Sequence, residues 1–98
     1  MVKIECTEEA KFWLKDIHDY IAQDNKRIAK KITKEIYSKV QILATFPQIG
    51  YAYRNDDNLE IRILLYGHYG IAYLIKDTNT IFVLGVFHGA LDIKRYLK

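Results

Sequence analysis

Phe46-Pro47-Gln48-Ile49-Gly50 precedes three apolar runs: Leu59-Glu60-Ile61-Arg62-Ile63-Leu64-Leu65-Tyr66, Tyr69-Gly70-Ile71-Ala72-Tyr73-Leu74-Ile75-Lys76 and Ile81-Phe82-Val83-Leu84-Gly85-Val86-Phe87-His88. Each run has the length of a strand, and turn-forming residues separate them: Gly67-His68, then Asp77-Thr78-Asn79-Thr80. In the first run Leu59, Ile61, Ile63 and Leu65 alternate with Glu60, Arg62, Leu64 and Tyr66. Tyr69, Ile71, Tyr73 and Ile75 share a face of the second. The third is apolar on both faces, as a strand covered on both sides must be. Three strands joined by short links predict an antiparallel meander. Its apolar faces are the natural seat for any helices, and chemistry is expected on the opposite face or along the rim.

Working outward towards the N-terminus, Ala10, Trp13, Leu14, Ile17, Tyr20 and Ile21 recur at spacings of three and four, predicting a helix over 8–23. Thr7 is its N-cap, and Glu8 and Glu9 sit in the first turn, where the helix dipole favours carboxylates. Trp13 and Tyr20 are expected in the core. Asp24-Asn25 breaks the pattern and caps a second helix over 26–44, with Ile28, Ala29, Ile32, Ile36, Val40 and Leu43 as its stripe. Pro47 stops it. So short a link predicts a helical hairpin. Val2, Ile4 and Cys6 alternate with Lys3 and Glu5 as a first strand, with Cys6 as a small buried hydrophobe. Gly50 makes a turn, 51–54 is extended or irregular, and 55–58 is a polar turn. Beyond His88 a short C-terminal helix is expected over 90–98. The order is β-α-α-β-β-β, with the hairpin on one face of a small antiparallel sheet, an α+β class.

The chain has 98 residues, half of them apolar, which suits one domain with its own core. It holds no run of about eighteen apolar residues, so no transmembrane helix is indicated. The start, Met1-Val2-Lys3-Ile4-Glu5, lacks a signal-peptide core, and one cysteine cannot form an internal disulfide, so the reducing cytoplasm is the expected compartment. No Cys/His pair has metal-ligand spacing, and neither a phosphate-binding glycine loop nor a nucleophile elbow is present. No cofactor is called for. The formal charge of +3 is mild, but it is clustered. Lys26, Arg27, Lys30, Lys31, Lys34 and Lys39 crowd the second helix, and Lys94, Arg95 and Lys98 the C-terminus. Such clusters suit an acidic partner, nucleic acid or protein, or simply a solvated face.

The chain resembles the RelE/ParE superfamily of toxins from bacterial type II toxin–antitoxin modules. The resemblance lies in Ile17-His18-Asp19-Tyr20-Ile21-Ala22 with Asn25, and in Leu43-Ala44-Thr45-Phe46-Pro47-Gln48-Ile49-Gly50. It continues through Ile61-Arg62, Tyr69-Gly70-Ile71-Ala72-Tyr73 and Val86-Phe87-His88-Gly89-Ala90-Leu91-Asp92. The implied fold is the one read above. The implied role is a growth-inhibiting cytoplasmic toxin held inactive by a cognate antitoxin, whose chain orders on an apolar groove of the hairpin or the sheet rim.

Two activities occur in the superfamily: cleavage of messenger RNA on the ribosome, and inhibition of DNA gyrase. The tail from His88 to Asp92 and the long hairpin look more ParE-like, which implies gyrase as target, with Arg54, Arg62, Lys94 and Arg95 as target-binding cations. RNA cleavage needs an acid, a base and cations for the phosphorane charge. On the RelE-like reading Arg62, His88 and Tyr96 carry it, with Arg54 holding phosphate. An inactive relative that binds its antitoxin and nothing else is the third reading.

Overall fold

The computed structural model describes residues 2–56 and 59–88. Its elements are β1 (Lys3–Cys6), α1 (Glu8–Ala22), α2 (Lys26–Ile42), β2 (Tyr51–Asp56), β3 (Leu59–Tyr66), β4 (Tyr69–Ile75) and β5 (Thr80–His88). The caps are where the sequence puts them. The Thr7 hydroxyl oxygen accepts from the Ala10 N–H at 3.1 Å, and the Asn25 carboxamide oxygen accepts from the Ile28 N–H at 3.1 Å. The helix expected on 90–98 lies outside the described residues.

The α+β class holds, with two differences. Residues 51–56 form a fourth meander strand, so the order is β-α-α-β-β-β-β and the sheet runs β1-β5-β4-β3-β2. This segment escapes a sequence reading because it is an edge strand with a bulge at Tyr53, which destroys the alternation, and it ends in Asn55-Asp56. Secondly, β1 pairs parallel with β5, Ile4 beside Ile81 and Cys6 beside Val83, so the sheet is mixed rather than antiparallel.

The hairpin covers the face of β3 that carries Leu64 and Tyr66, not the more apolar face of Ile61, Ile63 and Leu65. Ala10, Ile36, Val40 and Leu43 from the helices bury Leu64, Ile71, Tyr73, Ile81, Val83 and Val86. Antiparallel register explains the choice. Leu64 pairs with Ile71 and Arg62 with Tyr73, so the face is set by β4, whose Tyr69, Ile71, Tyr73 and Ile75 all join this core. A smaller cluster of Ile63, Ala72 and Phe87, flanked by Trp13, Tyr53 and Leu84, lies on the other face.

One register shift matters locally. Ala72 pairs with Gly85 but Tyr73 pairs with Val83, so Leu84 is bulged out of β5. The Thr7 hydroxyl donates to the Val83 carbonyl at 3.1 Å. The residue that caps α1 therefore also fastens the helix to the bulge. Cys6 is half-buried against the main core, and burial raises its thiol pKa, with Lys11 pulling the other way.

Candidate functional site

Two features stand out, one at each end of the sheet. The first is the hinge after α2. That helix stops at Ile42, and a turn closes with Phe46 N–H donating to the Ile42 carbonyl at 2.9 Å. Pro47 prevents the helix from resuming. The Tyr73 hydroxyl, on buried β4, donates to the Pro47 carbonyl at 2.7 Å and accepts from the Gly50 N–H at 3.0 Å. Arg62 Nε donates to the Gly50 carbonyl at 2.7 Å, and its Nη1 pairs with the Glu60 carboxylate. Gly50 is required there: a Cβ would lie 2.7 Å from the Ile63 carbonyl oxygen. Burial pushes the Tyr73 phenol above its ordinary pKa of 10.0, partly offset by the Gly50 N–H and the Arg62 charge.

Arg62 is thus held on the helix-covered side, its side chain 19% exposed and tied to two neighbours. Arg54 pairs in register with Ile61, which places it on the opposite face from Arg62. The backbone of His88 pairs with Tyr69, at the far end of the sheet from Tyr73, the partner of Arg62. Four residues of β3 separate the two levels, about 13 Å along the strand. The structure therefore brings neither Arg54 nor His88 up to Arg62. Lys76 stands apart, 5.7 Å over the Phe82 ring. Lys94, Arg95 and Tyr96 lie outside the described residues.

The second feature is a groove of about 400 Å³ between α1 and the far end of the sheet. Trp13, Ile17 and Ile21 of α1, with Val86 and Phe87 of β5, give it an apolar lining, and Asp16, Asp19, Tyr20, Gln23 and Tyr69 add polar groups. Trp13 tilts onto Phe87 with ring centroids 5.5 Å apart. Burial raises the Tyr69 phenol pKa above 10.0. Here the sequence expectation needs correcting. Trp13 is half-buried, but Tyr20 is 74% exposed and is not in the core. At about 100° per residue, Tyr20 sits some 80° from the stripe centre marked by Ala10, Ile17 and Ile21. Phe12, edge-on to the Trp13 ring, is 65% exposed. The hairpin thus shows aromatic surface beside a groove, whereas among the described residues Arg54 and Arg62 stand on opposite faces of the sheet. An apolar groove with an acidic rim can seat an amphipathic segment of another chain.

The sequence reading did not single out the Tyr73 hydroxyl, and it expected an apolar groove on the hairpin or the sheet rim without naming its lining. The bulge had a visible signal in Gly85, a glycine inside a strand pattern.

The model of the family described as the ParE toxin of the type II toxin–antitoxin system, parDE, matches residues 4–93. A solved structure of the chromosomal ParDE toxin–antitoxin system from P. aeruginosa has a similar fold, with a TM-score of 0.73 at 22% identity, covering 91% of this chain and 97% of that one. No curated protein matches in sequence. The family match runs from β1 through the hinge, the sheet and both candidate features, and the chain belongs to the ParE toxin family of type II toxin–antitoxin systems.

Proposed function

We propose that this toxin acts in the cytoplasm by binding and inhibiting DNA gyrase, without catalysis of its own, and that a cognate antitoxin neutralises it. The observation that carries the reading is the dispersal of the cations on the described sheet. Arg62 is committed to Glu60 and the Gly50 carbonyl, and Arg54 is on the other face. Phosphoryl-transfer chemistry needs such groups converging on one reacting atom. A protein that works by contact needs surface instead. Arg54 on the edge strand β2, Lys94 and Arg95 are the cations we assign to the target contact, and Arg62, tied to Glu60 and Gly50, holds the hinge. The antitoxin we place in the groove, where exposed Tyr20 lines the wall together with Trp13.

The test is a supercoiling reaction with purified gyrase and the purified full-length toxin. Supercoiling should fall, cleavage complexes should accumulate, and an excess of antitoxin should reverse both. Unchanged gyrase at large toxin excess, with cut messages on translating ribosomes instead, overturns the proposal and turns attention to Arg62, His88 and Tyr96.

A further inference from the structure

The outer face of α2 is built against its own helix. The helix carries six cations and one carboxylate, an excess larger than the formal +3 of the entire chain. Lys26, Arg27, Lys30, Lys31 and Lys34 are all exposed. With 3.6 residues per turn they fan over about 140° of arc. The other exposed positions within that arc are Tyr37, Ser38 and Gln41, and none is acidic. Arg27, Lys30, Lys31 and Lys34 stand at spacings of three and four, where like charges repel. Lys26 and Arg27 occupy the first turn, at the positive end of the helix dipole, and that turn holds no acid. Among the described residues the ion pairs are Lys3–Glu5, Lys11–Glu8, His18–Asp19 and Arg62–Glu60, and none uses an α2 cation. α1, by contrast, has Glu8 and Glu9 in its first turn, as helix stability favours. A chain that obeys the dipole rule in one helix and breaks it in the next has a use for the break.

We infer that the outer face of α2 docks on the phosphate backbone of duplex DNA. Lysine dominates this face, whereas lysine is depleted in protein–protein interfaces, which rely on aromatic and apolar anchors. Phosphate contact, by contrast, needs cations and carries no sequence demand. The shape also selects. A helix is about 10–12 Å across, the width of the major groove of B-form DNA, and cations spread over the exposed side of α2 can then meet the phosphates at either lip. The deep, narrow major groove of A-form RNA does not admit it. The inference goes beyond gyrase inhibition and does not depend on it, since DNA alone is the probe.

The experiment is fluorescence anisotropy of a labelled duplex of random sequence titrated with the full-length toxin, from about 50 to 200 mM salt. The comparison protein carries Lys30→Gln, Lys31→Gln and Lys34→Gln. The wild type should bind with a steep salt dependence. The triple variant should bind at least tenfold more weakly at low salt, with a slope smaller by about three in log–log terms. Its melting temperature should equal or exceed that of the wild type, because like-charge repulsion has been removed. A second triple variant, with arginine at the same positions, should retain binding. Equal binding by wild type and glutamine variant, lost binding in the arginine variant, or equal affinity for an A-form RNA duplex or a polyglutamate peptide would each overturn the inference.

Discussion

Tyr73 illustrates how much one hydroxyl can organise. Its ring is fully buried, and its oxygen serves a carbonyl and an amide of the hinge. Replacement by phenylalanine keeps the packing but strands the Gly50 N–H. Tyr73→Phe should therefore cost about 1–3 kcal/mol in urea unfolding near neutral pH. The same variant has a pH signature. The Tyr73 phenol has a pKa raised above 10.0 in the folded protein, so above that pH the unfolded state has released a proton that the folded state retains. The unfolded state then binds fewer protons, and stability falls as pH rises. The wild type should lose stability across this alkaline window more steeply than Tyr73→Phe, and parallel pH curves would contradict the assignment. At this scale the sequence was half legible. Glu60 and Arg62 are two apart on a strand, so their pairing follows from period two. The Tyr73 contact with Gly50 spans 23 residues and leaves no local trace.

At the scale of elements, the helices were the easiest to read, because their caps and stripes are local. Thr7 and Asn25 cap where they stand in the sequence, and α2 ends at Ile42, two residues short of the expected bound. β2 was harder: its bulge removes the alternation that marks a strand, and its identity comes from pairing with β3. The candidate surfaces divide in the same way. The basic face of α2 is visible as a periodic charge pattern, whereas the groove beside α1 needs β4 and β5 to form its second wall. Thr7 joins both kinds of information, capping α1 locally and fastening the Val83 carbonyl at long range. Thr7→Ala should lower stability by about 1–2 kcal/mol in thermal or urea unfolding followed by circular dichroism. Thr7→Ser keeps the oxygen and should recover most of it. If serine did no better than alanine, the hydroxyl would not be the cause.

For the molecule as a whole, class and layer arrangement followed from the order of the elements, but the seat of β1 did not. A four-residue strand has no periodicity that names its neighbour. Its parallel place beside β5 shows only in the long-range register, Ile4 beside Ile81 and Cys6 beside Val83. Which face is covered was not legible either, because Glu60 and Arg62 make the Leu64 face look polar, and only the register with β4 reveals the shared core. That placement of β1 has a consequence in time. Thr7 and Val83 are 76 residues apart. At synthesis rates of about 5–20 residues per second, roughly 4 to 15 seconds pass between their appearance on the ribosome. Until β5 emerges, β1 has no partner strand, and the hairpin lacks the wall formed by Ile81, Val83 and Val86. A chain stopped after Asn79 should accordingly show no cooperative unfolding transition, and a sharp transition in that fragment would refute this. The groove beside α1 takes its second wall from β4 and β5, so the site proposed above for the antitoxin comes into being only with the last strand of the sheet.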